Sequence, residues 1–125
     1  MESIYCIRGA TTTESDFPSE VDDAVRELMD TIYRENGITD EDVAAVIFSQ
    51  THDIRTRNAA AACRKAGFCS KTPLFCVQEA DISGGLRLAI RALVIINHQR
   101  SAEPRMVYLR NAVSLRPDYM EKEEV

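Results

Sequence analysis

Apolar positions along the chain fall into short runs separated by polar or glycine-rich breaks, and the runs change period as they go. Ile4-Tyr5-Cys6-Ile7 is β-branched and aromatic and halts at Gly9, which predicts a first strand with Arg8 at its end. Val21, Ala24, Val25, Leu28 and Ile32 then recur at helical spacing. Pro18 or Ser19 suits the first turn of this helix, and Gly37 suits its end. Its outer face carries Asp22, Asp23, Glu27 and Asp30 and is expected to be solvated. Thr39 to Asp42 reads as a turn or short helical start. Val43 to Ser49 reads as a continuous apolar strand covered on both faces. The alanine-rich stretch Arg57 to Lys65 favours a helix ended by Gly67, and Pro73 to Gln78 a further buried strand.

After the break at Ser83-Gly84-Gly85, residues 86–97 are almost wholly apolar, which predicts a helix buried nearly all round. Met106 to Leu109 supplies a last strand. The order β-α-β-α-β-α-β predicts a single-domain α/β (α+β) fold around a mixed sheet, occupying residues 1–117. Residues 118–125 are expected to form a charged, flexible tail.

Composition narrows the chemistry. The 125 residues carry a net charge of −5, which argues against general nucleic-acid binding and, on its face, against an anionic ligand. The charge is unevenly placed, however. Residues 1–50 hold 12 acids and 3 bases, whereas residues 51–116 hold 11 bases and 4 acids. Nine of those 11 bases are arginine, the side chain that grips carboxylates in a planar fork. The longest apolar run, Val43 to Phe48, is far too short to span a bilayer, and the first 20 residues have no apolar segment of signal length; a cytoplasmic protein is expected. Cys6, Cys63, Cys69 and Cys76 show no C-x-x-C spacing and are expected to be reduced and mostly buried. With only His52 and His98 available, neither a metal site nor a nucleophilic triad is expected.

What remains is arginine chemistry. Arg87 and Arg91 interrupt the apolar run 86–97 and, four residues apart on a helix, would share one side. A guanidinium in such surroundings needs a partner, and Glu79 at the close of the third strand is the obvious one. The pair could be an internal ion pair, or both groups could face a ligand bearing anionic and hydroxyl groups. Arg8 beside Gly9, Tyr108 in the last strand and Arg116 beyond it are further candidates, each with an ordinary packing or surface reading. Several arginines, a glutamate and a tyrosine without nucleophile or metal suit an enzyme that binds a small multi-anion and stabilises developing charge.

Ile7-Arg8-Gly9-Ala10-Thr11-Thr12, Cys76-Val77-Gln78-Glu79, Asp81-Ile82-Ser83-Gly84-Gly85-Leu86, Ile90-Arg91, Val107-Tyr108-Leu109 and Leu115-Arg116-Pro117-Asp118 together resemble the monofunctional chorismate mutases of the Bacillus type. The resemblance implies a homotrimer with a barrel-like core, active sites between adjacent subunits, and no cofactor. The reaction it implies rearranges the dicarboxylate chorismate to prephenate in one pericyclic step of aromatic amino-acid biosynthesis. By the resemblance, Arg91 donates to the ether oxygen as its bond breaks, while Glu79 and Cys76 meet the ring hydroxyl. Arg8 and Tyr108 would hold one carboxylate, and Arg64 and Arg116 would attract the second or close the mouth. Two departures stand out. Asn58-Ala59-Ala60-Ala61 replaces an aromatic-Pro-Ala-basic run, with Arg55 or Arg57 the nearest replacements for the lost charge. Phe75 replaces a common threonine beside the substrate. The altered stretch keeps a second reading open, a non-catalytic trimer that binds or senses a small carboxylate.

Overall fold

The computed structural model describes residues 4–97 and 103–115; the expected tail and Arg116 lie outside them. The elements are β1 (Ile4–Thr12), α1 (Pro18–Asn36), β2 (Val43–Gln50), α2 (Ala59–Lys65), β3 (Leu74–Gln78), β4 (Ala89–Asn97) and β5 (Val107–Tyr108). Short 3-10 turns cover Asp40–Asp42 and Arg110–Leu115. The strands make one mixed sheet in the order β3-β2-β4-β1-β5. β4 runs antiparallel to both β1 and β2, while β3 is parallel to β2 and β5 to β1.

The helix expected over 86–97 is the central strand β4. An apolar run of this length has no period that separates a buried helix from a buried strand, and its β-branched residues (Ile90, Val94, Ile95, Ile96) favour the strand. Burial alternates along it: Ile90, Ala92, Val94 and Ile96 are buried, while Arg91, Leu93 and Ile95 are only partly covered. Arg87 therefore shares no helix side with Arg91. It lies in the exposed turn before β4, with Nε 3.9 Å from Asp53.

β1 does not stop at Gly9 but continues to Thr12, so Arg8 sits mid-strand. Gly9 faces α1, where an added Cβ would lie 2.7 Å from Ile32 Cδ1 and 3.1 Å from Leu28 Cδ1. The close approach anticipated at Gly9 is thus made by a helix. α1 buries Val21, Ala24, Val25, Leu28, Met29 and Ile32, with Pro18 in its first turn and Gly37 in the left-handed conformation closing it. Its acidic face is not wholly solvated. Asp22 is largely buried and receives Arg57 Nη2 at 3.1 Å and Lys65 Nζ at 3.1 Å, which ties α1 to α2. α2 starts at Ala59, two residues later than expected, because the Asn58 side chain accepts from the Ala60 and Ala61 N–H groups and caps it.

β2 is covered on one face only. Val46 and Phe48 are buried under the helices, but Ile47 is exposed, as are Phe75 and Val77 beside it on β3. Cysteine burial is likewise mixed: Cys63 and Cys69 are buried, Cys76 is intermediate and Cys6 exposed.

The turn into β4 is clamped. Leu88 adopts φ 50°, a left-handed conformation that a leucine holds only under restraint. Both Asp53 carboxylate oxygens accept its N–H at 3.1 Å, and the Thr51 hydroxyl accepts the Ala89 N–H at 2.9 Å. Burial alone would raise the Asp53 pKa, but hydrogen bonds from Thr51 and the Leu88 backbone outweigh it and hold the carboxyl below the usual 3.8.

Two outcomes follow from these contacts. Gly9→Ala forces Ile32 and Leu28 aside and lowers stability by about 1–2 kcal/mol, at the mild end for overpacking because the obstructing atoms are side-chain tips; a denaturant midpoint shift at constant slope measures it. Because its folded pKa is depressed, Asp53 stabilises the fold above pH 3.8 and loses that contribution as pH falls through the folded value. Asp53→Asn is therefore less stable than the parent at neutral pH, and thermal midpoints of the two converge as the pH drops below about 4.

Candidate active site

Cross-strand register determines which side chains can meet. On the face away from α1, Ala10 on β1 has Arg91 of β4 on one side and Tyr108 of β5 on the other. Arg91 is in turn directly opposite Ser49 of β2. At strand spacings of about 4.8 Å, this row places the backbones of Arg91 and Tyr108 about 10 Å apart with a small residue between them. Arg8, two residues before Ala10, projects from the same face. The result is a cleft of about 470 Å³ whose lining includes Arg8, Ala10, Ser49, Arg91, Tyr108 and Leu115.

The charge arrangement within this cleft is specific. Arg91 Nε donates to Glu79 Oε2 at 3.0 Å, and Ser49 Oγ donates to Glu79 Oε1 at 2.9 Å. Glu79 lies one residue past β3, held by its own N–H to the Gln50 carbonyl at 2.9 Å. Its side chain is only 20% exposed, against 42% for Arg91. The guanidinium thus uses Nε for the ion pair and retains Nη1 and Nη2 as donors. Arg8 Nη2 donates to the Tyr108 hydroxyl at 3.3 Å, and no described carboxylate pairs with Arg8. The cleft therefore holds Arg91 paired with Glu79, and Arg8 beside the Tyr108 phenol with no described carboxylate partner. It can bind an anion at Arg8 and Tyr108 while presenting hydrogen-bond donors from Arg91 about one small molecule away. A second hollow of about 700 Å³ opens on the other side of the pair, where Arg91 and Glu79 meet the exposed 80–87 turn and Asp53.

Arg8, Glu79, Arg91 and Tyr108 are thus brought together. Phe75, Cys76 and Arg64 are not. Phe75 lies on the open face but on the edge strand β3, with its ring 70% exposed. Cys76 pairs with buried Phe48, so its side chain is directed to the helix side, where its thiol donates to Gln50 Oε1 at 3.0 Å. Arg64, near the end of α2, donates to the Thr72 carbonyl at 3.0 Å just before β3. Of the two substitute cations, Arg57 is committed to Asp22, whereas Arg55 lines a hollow with Asn58 and Cys76 at this edge. Ala10 and Leu115, which stand within the quoted motifs, and Ser49 also line the cleft, although none is a candidate ligand from sequence. A serine closing an apolar strand looks like a strand end, and only the register shows that it faces Arg91.

Residues 4–119 match the family chorismate mutase type I. The chain is 41% identical over 114 residues to chorismate mutase AroH of Thermus thermophilus, covering 90% of this chain and 93% of that protein. It is 36% identical over 113 residues to chorismate mutase AroH of Bacillus subtilis, covering 90% and 89% respectively. The solved structure of a chorismate mutase from Clostridium thermocellum superposes with a TM-score of 0.80 at 28% identity, covering 88% of this chain and 98% of that one. The family match over residues 4–119, with relatives 36% and 41% identical over 90% of the chain, shows that the chain belongs to the chorismate mutase type I family.

Proposed function

We propose that the chorismate mutase reaction of this chain is carried by Arg91 and Glu79, with Arg8 and Tyr108 as carboxylate ligands, and that each site is completed by a second copy of the chain. The observation that supports this most is the Arg91–Glu79 pair at 3.0 Å, which engages Nε of an arginine that lines the cleft and leaves its terminal nitrogens as donors. In the rearrangement of chorismate to prephenate, the C–O bond breaks ahead of C–C bond formation and negative charge grows on the ether oxygen. Donors fixed by the protein gain strength as that charge develops, so Arg91 binds the transition state more tightly than the substrate. Glu79 keeps acceptor capacity for the ring hydroxyl. Arg8 and Tyr108 anchor a carboxylate, and holding the flexible substrate in its reactive chair supplies the orientational share of the rate.

The remaining candidate ligands, Phe75, Cys76 and Arg64, cluster at the β3 edge, while Arg8 and Tyr108 sit at the β1/β5 end. This separation supports a site built between copies, with the β3 edge of one lying over the Arg91 cleft of the next. The exposed apolar residues Ile47, Phe75 and Val77 on the open face provide surface for such packing, which we assign to a homotrimer.

Purified protein is expected to consume chorismate, read as loss of its ultraviolet absorbance, with prephenate as product. Arg91→Gln should reduce kcat by about 10²–10³, the usual loss for one charge-stabilising donor; an unchanged kcat with raised KM would make Arg91 a uniform binder. The shared site is tested by mixing. Arg64→Ala and Arg91→Gln, each impaired alone, should regain about a quarter of parental activity when co-expressed, because random assembly pairs two intact half-sites at that frequency. Recovery no greater than the mean of the two variants would place each whole site within one chain.

A further inference from the structure

We propose that Ser49 is a positioning residue for the reaction: its hydroxyl holds the Glu79 carboxylate in the orientation that takes only Nε of Arg91 and leaves both terminal nitrogens available as donors. The inference rests on the catalytic role given to Arg91 above. Ser49 and Arg91 are direct cross-strand neighbours, so their side chains leave the sheet side by side. Glu79 reaches between them from the end of β3, and each of its oxygens has a different donor: Ser49 Oγ on Oε1 at 2.9 Å, Arg91 Nε on Oε2 at 3.0 Å.

The chemistry makes that division consequential. An ionised carboxylate only accepts, so Ser49 must be the donor in this contact. Left with Arg91 alone, the carboxylate is free to turn about its last torsion, which is broad for glutamate. The arrangement it would then favour is the two-bond fork, with both oxygens on the guanidinium edge. A fork engages a terminal nitrogen as well as Nε and so withdraws a donor from the cleft. The Ser49 hydroxyl draws Oε1 toward β2, away from the guanidinium edge, and so disfavours the fork. Glu79 needs such a restraint because its backbone is tied to Gln50 on one side only, and the residues that follow it, Ala80 to Gly85, are exposed.

The Ser49 hydroxyl is committed to Glu79, so Ser49 acts through that carboxylate. It lines the cleft at the sheet floor, and its strand neighbours Phe48 and Gln50 face the opposite side. Removing its hydroxyl leaves the core untouched, and the fold should survive the change.

The test is steady-state kinetics of Ser49→Ala, Ser49→Thr and Glu79→Gln, alone and combined. Ser49→Ala should lower kcat about tenfold with KM within about twofold and an unchanged thermal midpoint, the loss of one hydrogen bond to a charged group. Ser49→Thr, which keeps the hydroxyl and suits a strand, should restore kcat. In a Glu79→Gln background, where the carboxylate to be oriented is gone, adding Ser49→Ala should change kcat by less than about twofold. Parental kcat in Ser49→Ala, a loss confined to KM, or an undiminished loss in the Glu79→Gln background would each overturn the proposal. Arg91→Gln run beside them separates the two readings: if it collapses kcat while Ser49→Ala does not, only the role of Ser49 fails, and if it leaves kcat intact, the assignment of Arg91 fails first.

Discussion

The site depends on placing a guanidinium on the middle strand of a five-stranded sheet. Arg91 is flanked by β1 and β2, so its side chain leaves the middle of the sheet on the open face, where it is partly covered. The cation has to be compensated from above the sheet, and Glu79 reaches it from the first residue after β3. For that to work, β3 must end level with Arg91. It does so because β3 pairs in parallel with β2 up to Gln78, while β2 pairs antiparallel with β4 at Ser49–Arg91. Register, strand length and the ion pair are therefore one constraint, since a slip of one residue on β4 would turn Arg91 into the apolar core.

The same constraint explains the clamp ahead of β4. An arginine three residues into a strand is only as well placed as the strand's first residue. Leu88 is held in a left-handed conformation by Asp53, and Ala89 by Thr51, before pairing starts. On the opposite face, Gly9 lets α1 settle directly onto β1 beside Ile32 and Leu28. The helix side is thereby packed mainly with hydrocarbon, and Arg8, Ser49, Arg91 and Tyr108 are left to the open face.

How much of this could be read from the chain varied with how local the determining physics was. The period of α1, the short β-branched runs of β2 and β3, and the arginine-to-glutamate partnership all follow from nearby residues or from the rule that a partly buried charge needs a mate. β4 was misread as a helix because its identity is settled by two neighbouring strands, and residues 86–97 alone contain no alternation of polar and apolar positions to reveal them. Ser49 is illegible for a related reason: a polar residue at the end of an apolar run looks like a boundary, and only cross-strand register gives it a target. The expectation for Cys76 was limited differently. Its place near Glu79 in sequence says nothing of face, and within one chain its side chain turns to the helix side.

The net charge of −5 turned out to be weak evidence about the ligand, and the reason lies in placement. Asp23, Glu27 and Asp30 ring the outer face of α1, and Asp22 is paired with Arg57 and Lys65, so the acids of α1 lie on the far side of the sheet. On the open face, Arg8 keeps its charge without a described carboxylate partner and Arg91 shares its own with a single glutamate. Electrostatic stabilisation of a breaking C–O bond gains most where water is excluded, yet Arg91 in the lone chain is still 42% exposed. The apolar row formed by Leu93, Ile47 and Phe75 runs beside the cleft on this same face. Covering that row with another copy would bury hydrocarbon and dry the arginines in a single step, so the proposed assembly and the proposed catalysis draw on the same surface.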